Sequence, residues 1–423
     1  MKAADRPAAR ICLPSTRAFS RKVFECGLYE AQDVLCAVDN VDRIDLRATD
    51  ALTSRHRWLS RLVFHDPSHR LQRLNPGLEP IRLTRDYELF VTFCPSYEEL
   101  LYLNAIDNWK DRCKVLACWV DEIWVSSIEK YHHWLPLLAQ FDHLFVTHEH
   151  TASALSTVLG REVVFLPAAV DTLRFAPLPH VARGVGAYSI GRRREGLHQA
   201  LLEYSRRNDF FYVHDTYRAS VADVYDPGAH RDLFAQTAKR SQFFVVAPPK
   251  FDSVVETAGQ VEVGYRFYEG AAAGCVLIGE RADSEAFRRL FAWADVVTEM
   301  AGDGSDCAAI LTELRRQPEH LDLVSRRNAA LSLMRNDWAH RWQALLEHVG
   351  MTAAEPMRLR MRSLADRAAL LDAGFNHHVE PVSAMAASVL RSMTVSERST
   401  ESAETPPKPA RSTAPVVQPR AAS

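Results

Sequence analysis

The sequence predicts an α/β protein built from two doubly wound parallel sheets that face each other across a cleft. Short apolar runs alternate with amphipathic helical patterns along most of the chain, which is typical of parallel strands joined by helices. A Pro- and Gly-containing break at residues 177–186 divides this alternation into two series. The 423 residues are enough for two such domains and further extensions.

The first series follows an N-terminus, residues 1–21, that we expect to be irregular. Its apolar runs predict buried strands at 61–66, 88–95, 114–127, 143–148 and 163–168. Helical spacing of apolar residues predicts helices at 97–106 and 149–159.

The second series begins after the break. It predicts strands at 186–190, 210–215, 242–248, 275–279 and 296–300. It predicts helices at 195–207, 230–241, around Glu269, and at 283–294, 305–316 and 318–333. Residues 336–350 and 356–394 have an amphipathic helical pattern. Residues 396–423 contain five prolines and no aromatic residue, so we expect a disordered tail.

Composition excludes several classes of protein. The net charge of −2 gives no global attraction to nucleic acid or to an acidic membrane, so any anion site must be local. The eight cysteines are scattered without a Cys-x-x-Cys pair, which favours a reducing, cytoplasmic location over a disulfide or zinc framework. No apolar run approaches the ~20 residues of a membrane span, and no signal peptide is recognisable.

Residues 265–280, YRFYEGAAAGCVLIGE, are the most informative stretch. A short helix should end at Gly274, because a residue just past a helix often takes the left-handed conformation that glycine adopts without strain. The apolar run that follows predicts a strand of a parallel sheet covered on both faces. Glu269 then lies near the sheet edge where open α/β folds bind ligands.

This stretch resembles the sugar-nucleotide-binding segment of GT-B glycosyltransferases of the group 1 type. It is similar in particular to the spore-maturation-protein-like variant. Residues 163–177 are similar to the interdomain hinge signature of the same enzymes, with matches at Pro167, Val170, Asp171, Phe175 and Pro177. Without the resemblance, Asp171 would simply cap a turn between a strand and a linker.

The resemblance implies a division of labour between the predicted parts of the chain. The N-terminal domain, residues 22–176, would bind the acceptor, and residues 177–335 would bind the nucleotide sugar. Residues 336–395 would form C-terminal helices and residues 396–423 the tail.

The loop Gly191–Gly196 carries three consecutive arginines between a predicted strand and a predicted helix. A helix N-terminus and guanidinium groups both suit a diphosphate. The resemblance implies that Arg192 or Arg193 binds it, although the pattern alone also fits a solvated basic loop. Lys250 follows a predicted strand and either contacts the base or phosphate or is an exposed turn lysine.

Glu262, Arg266 and Glu269 follow i, i+4, i+7 spacing, so they can share one helix face, and this pattern alone also fits a plain ion-pair ladder. The resemblance implies that Glu269 binds the ribose hydroxyls and that Gly264 lies close to the diphosphate. The family's first glutamate would fall at Val261, whereas this chain has Glu262. Arg266 would then be a cation beside the phosphates.

The N-terminal domain offers His148 and Asp121 as candidate catalytic residues, although each also fits a structural role. His148 and His150 are two residues apart and cannot share a helix face, so we expect no metal site there.

The resemblance implies transfer of a sugar from a nucleotide-diphosphate donor, without a further cofactor or a metal and with retained stereochemistry. The acceptor would be a glycan, a lipid-linked molecule or a small molecule, and not nucleic acid. One alternative is a nucleotide- or glycan-binding protein without turnover. A nicotinamide-dependent enzyme is disfavoured because Gly184, Gly186 and Gly191 do not form Gly-x-Gly-x-x-Gly.

Overall fold

Two parallel β-sheets with interleaved helices form the framework of the protein, as the sequence predicts. The structure is a computed structural model and describes residues 8–66, 68–179, 181–216 and 223–372. The predicted tail, residues 396–423, and the end of the helix predicted at 356–394 lie outside the described residues.

The first sheet has six parallel strands in the order β2-β1-β3-β4-β5-β6. The strands are β1 (Ile11–Ser15), β2 (Val41–Asp45), β3 (Tyr87–Cys94), β4 (Cys113–Val120), β5 (His143–Val146) and β6 (Val164–Phe165). The accompanying helices are α1 (Cys26–Val38), α2 (Leu52–Val63), α3 (Trp109–Arg112), α4 (Val125–Lys130), α5 (Leu135–Leu138) and α6 (Glu149–Leu159). We call this part the first lobe.

The second sheet has five parallel strands in the order β11-β10-β9-β7-β8. The strands are β7 (Val185–Ser189), β8 (Tyr212–His214), β9 (Ser241–Val246), β10 (Val276–Gly279) and β11 (Val297–Glu299). The helices from the connection onward are α7 (Thr172–Phe175), α8 (Glu195–Arg207), α9 (Pro227–Lys239), α10 (Val254–Thr257), α11 (Tyr265–Ala272), α12 (Glu285–Leu290), α13 (Cys307–Arg315) and α14 (Pro318–Arg335). We call this part the second lobe.

Two C-terminal helices, α15 (Trp338–His348) and α16 (Glu355–Asp372), follow the second lobe. Helix α15 packs on the first lobe: the Trp338 ring lies 5.8 Å from that of Trp119, and the Trp342 indole N–H donates to the Ala31 carbonyl at 2.8 Å. Burial of two such indoles, both 0% exposed, ties the end of the chain back to the N-terminal sheet.

The expectation that residues 1–21 are irregular is wrong for residues 11–15. Residues 11–15 form β1, which pairs with both β2 and β3 in the interior of the sheet. The segment is short and contains Pro14, and a proline argues against a central strand because it cannot donate to the ladder. Burial of Ile11, Cys12 and Leu13 outweighs that single lost donor.

The strand predicted at 61–66 is also wrong, because these residues end helix α2. Leu59 and Val63 are buried at i, i+4 spacing, so the apolar residues mark one face of a helix and not a continuous strand. The strand predicted at 114–127 is only half correct. It ends at Val120, and helix α4 begins at Val125.

All eight cysteines are free thiols. Among the described helices, none combines the length and the apolar character needed to cross a lipid bilayer.

Candidate functional site

The arginine loop, residues 191–194, connects β7 to α8 at the carboxyl edge of the second sheet. Gly191 has a φ of +81°, and its N–H donates to Asp215 Oδ2 at 2.9 Å. Gly196 lies so close to the Asp303 backbone that an added Cβ would be 2.6 Å from it. These two glycines allow a tight turn that holds the arginines at the sheet edge.

Each arginine of this loop has a carboxylate partner. Arg193 donates to Asp215 Oδ1 at 2.8 Å and to the Asp215 carbonyl at 2.7 Å, and Arg194 pairs with Glu280 at 2.6 Å. Arg192 pairs with Asp252 at 2.7 Å, and both of these side chains are 50% exposed. Arg192 therefore has the most exchangeable partner of the three, since exposed ion pairs contribute little.

Helix α11 begins directly after Gly264 and carries Glu269, which is 1% exposed. One carboxylate oxygen of Glu269 pairs with Arg231 of α9, and the other pairs with Arg266. Burial opposes ionisation of Glu269, but Arg266 and Arg231 outweigh it and lower the pKa of the carboxyl. Arg266 and Glu269 therefore share a helix face, as predicted. Glu269 is buried between two guanidinium groups, so it does not belong to a solvent-exposed ion-pair ladder.

Arg266 joins the two motifs that the sequence singled out. Besides its pair with Glu269, its Nε donates to the carbonyl of Ile190 at 3.2 Å, at the base of the arginine loop. A Cβ on Gly191 would lie 3.5 Å from the Arg266 guanidinium. Segments far apart in the chain thus converge on one cation at the carboxyl edge of the second sheet.

The α11–β10 junction follows the sequence prediction. Gly274 has a φ of +66°, the left-handed conformation expected just past the helix. An added Cβ there would be 3.0 Å from the Ser325 carbonyl of α14. Gly270 is equally constrained, since a Cβ would lie 2.6 Å from the side chain of Leu277. The small residues let α11 pack closely against the second sheet.

A buried ion pair between Glu30 and Arg231 connects the two lobes and was not predicted from the sequence. Arg231 Nε donates to Glu30 Oε2 at 2.8 Å, and Nη2 donates to Glu30 Oε1 at 3.1 Å. Glu30 also accepts from the Asp171 N–H at 2.8 Å and from the Trp338 indole at 3.2 Å. Burial disfavours the Arg231 cation, but Glu30 and Glu269 outweigh it and raise its pKa.

The helical patterns indicate that each of these two charged residues lies on an apolar face and needs a partner, but not which residue that partner is. Arg231 stands at i, i+3 and i+4 from Phe234 and Ala235, on the buried face of α9. Glu30 likewise lies among buried residues of α1, with Ala31 and Val34 on either side of that face. A charged residue on an apolar helix face is uncommon unless it is paired.

Lys250 lies on the loop after β9, at a φ of +52°, and is not the exposed turn lysine considered as an alternative. Its ammonium pairs with Glu256 and with Glu122 of the first lobe, and it lies 5.6 Å from the centre of the Trp124 ring. The lysine thus contributes to contact between the lobes.

Asp121 follows β4 and meets the second lobe. Its Oδ1 accepts from the Tyr265 hydroxyl at 2.7 Å and from Thr147 at 3.2 Å. Burial raises the pKa of Asp121 to about 7. His148 lies deeper: its Nδ1 is 3.0 Å from the Ile123 carbonyl, and burial lowers the pKa of the imidazole.

Glu262 is directed towards the first lobe and not along the face of α11. It accepts from Gln260 at 2.6 Å, lies 3.1 Å from His150 Nδ1, and accepts from the Glu149 N–H at 3.4 Å at the start of α6. Its buried carboxylate therefore faces the positive end of α6.

The segment with the hinge signature connects the lobes and contacts the C-terminal helices. Asp171 caps α7 by accepting from the Arg174 N–H at 3.2 Å, as the bare pattern suggested, and it also accepts from Arg360 of α16 at 2.6 Å. Val170 forms a bridge to Asp337, with its N–H donating to the Asn336 carbonyl at 3.1 Å.

An open polar cavity of about 310 Å³ lies at the carboxyl ends of β10 and β11. Glu280, the partner of Arg194, lines it together with Arg281, Asp283 and Glu299. Within the described ranges, no group of three or more His, Cys, Asp or Glu side chains is arranged to hold a metal ion.

Comparisons with known proteins agree with this architecture. Residues 194–347 match the family model described as glycosyl transferase-like. No curated protein matches the chain in sequence.

Among solved structures, an α-glucosyltransferase in complex with UDP is similar at 10% identity and a TM-score of 0.51, over 81% of this chain and 100% of that one. The same enzyme with UDP-glucose and DNA containing an abasic site has a TM-score of 0.50, with the same identity and coverage. An α,α-trehalose-phosphate synthase from Burkholderia vietnamiensis has a TM-score of 0.48 at 12% identity, over 86% of this chain and 99% of that one.

The match over residues 194–347 contains Arg194, the last residue of the arginine loop, together with α11 and β10. The two parallel sheets and the α-glucosyltransferase comparison give the same two-lobed fold. The chain therefore has the GT-B fold, and its residues 194–347 form a glycosyl transferase-like region.

Proposed function

We propose that the protein transfers a sugar from a uridine diphosphate sugar to an acceptor held by the first lobe. The donor would bind to the second lobe, against the arginine loop and the start of α11. The observation that carries this proposal is the convergence on Arg266, which bonds the loop at Ile190 and pairs with Glu269. The α-glucosyltransferase of similar fold binds UDP and UDP-glucose, which supports uridine as the base.

Arg192 is the arginine that we propose for the diphosphate. Its pair with Asp252 is half-exposed on both sides, so a diphosphate can replace the aspartate at little cost. Arg193 is held by two bonds to Asp215 and would shape the loop without leaving it. As the sugar departs, negative charge grows on the diphosphate, and prepositioned guanidinium groups stabilise it.

Glu269 is proposed to accept a ribose hydroxyl although both of its oxygens are paired. A carboxylate oxygen has two lone pairs, so each oxygen can accept a second hydrogen bond. We expect Arg266, which is more exposed than Arg231, to be the partner that adjusts. Glu269→Gln should then weaken UDP binding relative to pyrophosphate, which has no ribose. If Glu269→Gln weakened the binding of UDP and of pyrophosphate equally, Glu269 would not bind the ribose.

On the first lobe we propose Asp121 as the group nearest to the acceptor chemistry. It follows a strand at the carboxyl edge of the first sheet and faces Tyr265 across the lobes. A carboxyl with a pKa near 7 is suited to exchange a proton with an acceptor hydroxyl. His148 is more enclosed and fits a supporting role.

We further propose that the reaction retains stereochemistry and needs no metal. The hinge signature at 163–177 resembles that of retaining enzymes, and Arg192, Arg266 and Lys250 supply the positive charge that a metal would otherwise bring. Chelation of divalent ions should leave UDP affinity unchanged. A large loss of affinity after chelation would overturn metal independence.

Calorimetric titration with UDP and with uridine tests the donor site. Arg192→Ala should weaken UDP binding by ~1.5–3 kcal/mol, which is the contribution of one charged hydrogen-bonded contact, and leave uridine binding unchanged. The matched control is Arg207→Ala, an exposed arginine at the far end of α8 that pairs with Glu203. Equal UDP affinity in the two variants would indicate that the arginine loop is a solvated surface loop that does not bind the diphosphate.

A binding protein without turnover is the second candidate, and one observation favours it. Val261 occupies the expected position of the family's first glutamate, and the neighbouring Glu262 is engaged with His150 and Gln260. Release of UDP from UDP-glucose by purified protein distinguishes the two functions. Tight UDP binding together with no release in the presence of a broad acceptor panel would favour the binding protein.

A further inference from the structure

The exposed surface of helix α2 combines large apolar and basic side chains. Trp58 and Phe64 are 53% and 54% exposed, and Arg55, Arg57 and Arg61 are also exposed. We call these five residues the α2 patch. Exposed aromatic residues occurring singly are ordinary, but two of them among three arginines on one helix and its end form an unusual surface.

The arginines of the α2 patch are not neutralised. Within the described part of the chain, none of the three makes an ion pair or a side-chain hydrogen bond. Helix α2 itself contains no Asp or Glu. The patch is thus a local positive surface on a chain whose net charge is −2.

The helix is amphipathic in a way that leaves this face outside the fold. Its inward face is formed by Leu59 and Val63, which are buried, with His56 one turn earlier. Residues 57, 61 and 64 follow i, i+4, i+7 spacing on the opposite side. The fold therefore holds the helix by one face, and Arg57, Arg61 and Phe64 lie on the other, with Arg55 and Trp58 exposed along the edges between them.

We propose that the α2 patch docks on an anionic lipid bilayer. A helix lying in the membrane interface buries aromatic side chains at the level of the headgroups while arginines meet the lipid phosphates. Each basic side chain near an anionic surface adds to the attraction. Nucleic acid also attracts arginines, but a solvated phosphate backbone gives little reason for exposed Phe64 and Trp58 beside them.

The position of α2 suggests that docking on a bilayer would bring the acceptor side of the protein close to the membrane, a step that rests on the proposed function. The His56 ring lies 5.1 Å from that of Tyr102. Tyr102 lines a small cavity with Thr16, Cys94 and Glu99, at the carboxyl ends of β1 and β3. A bilayer against α2 would thus lie beside the edge of the first sheet where an acceptor is expected, and a lipid-linked acceptor would reach it directly.

Co-sedimentation of the full chain with vesicles tests the docking without any requirement for turnover. Vesicles of phosphatidylcholine mixed with phosphatidylglycerol should bind the protein, and vesicles of phosphatidylcholine alone should bind it weakly. Salt at ~1 M should release it, because the screening length falls to about 3 Å.

Variants within the α2 patch identify the surface. Arg57→Gln with Arg61→Gln should weaken binding about 25-fold, at about fivefold per arginine, and Trp58→Ala should weaken it further. The matched controls are Phe211→Ala, an aromatic residue 63% exposed on the second lobe, and Arg206→Gln, an exposed arginine of α8. Circular dichroism verifies that each variant is folded.

Two outcomes would overturn the proposal. One is equal binding of the patch variants and the controls to the anionic vesicles. The other is binding to a fluorescent DNA or RNA oligonucleotide, lost in the patch variants, with no binding to vesicles. Because UDP affinity is measured separately, a failure here leaves the donor site unaffected, and the reverse also holds.

Discussion

Arg231→Met removes the cation at the centre of the contact between the lobes. Arg231 is 4% exposed and pairs with both Glu30 and Glu269, so the substitution leaves two buried carboxylates short of a partner. Breaking a buried pair from one side costs ~3–5 kcal/mol. Glu30 keeps its ion pair with Arg174 at 3.3 Å and its bond from Trp338, and Glu269 keeps Arg266. We therefore expect the lower end, about 3 kcal/mol.

Urea unfolding of wild type, Arg231→Met and a matched control measures this loss. The control is Arg207→Met, whose pair with Glu203 is exposed on both sides and should contribute less than ~1 kcal/mol. Adding Glu30→Gln to Arg231→Met should recover part of the stability, because it removes a buried carboxylate that has lost the nearer of its two cationic partners. A loss below ~1 kcal/mol in Arg231→Met, or no recovery in the double variant, would refute the assignment of this pair as a buried charge network.

Two further predictions concern single residues. Burial raises the folded-state pKa of Asp121 to about 7, above the ordinary value of about 3.9, so the folded protein retains a proton that the unfolded chain loses between these pH values. The wild-type unfolding free energy should fall as pH rises from ~4 to ~7. Asp121→Asn should remove ~2 kcal/mol of that fall. This is half of the free energy that corresponds to the whole pKa shift, because the side chain is partly exposed to solvent. A difference in unfolding free energy between the two proteins that does not change with pH would contradict this prediction. Gly196→Ala should cost ~1–3 kcal/mol by overpacking against the Asp303 backbone, measured by urea unfolding, and a neutral result would show that the turn can shift.

Much of the fold follows from local pattern. The helix predicted at 149–159 is found as α6, Glu149–Leu159, and the strand predicted at 88–95 is β3, Tyr87–Cys94. In both segments apolar periodicity and burial agree. At 61–66 the prediction followed the short apolar run Leu62–Phe64 and gave a strand. The i, i+4 spacing of Leu59 and Val63, which indicates a helix, is visible only when a longer stretch of sequence is considered.

The local geometry of the candidate site was predictable where one segment determines it, as with the left-handed Gly274 and the arginine loop between β7 and α8. It was not predictable where partners come from distant parts of the chain. Glu30 and Arg231 are 201 residues apart, and the sequence around either residue does not identify the other as its partner. The orientation of the Glu262 side chain was also not predictable from helical spacing. That spacing placed Glu262 on the same helix face as Glu269, whereas its carboxylate contacts the start of α6.

Titration of UDP into Arg266→Gln tests the central claim most directly, with Arg207→Gln as the control. Arg266 is the residue on which the arginine loop and the α11 segment converge. If this is the donor site, Arg266→Gln should fold, because Glu269 keeps Arg231, and should bind UDP ~10-fold or more weakly than wild type, whereas the control is unchanged. Wild-type affinity in a folded Arg266→Gln protein would contradict the account.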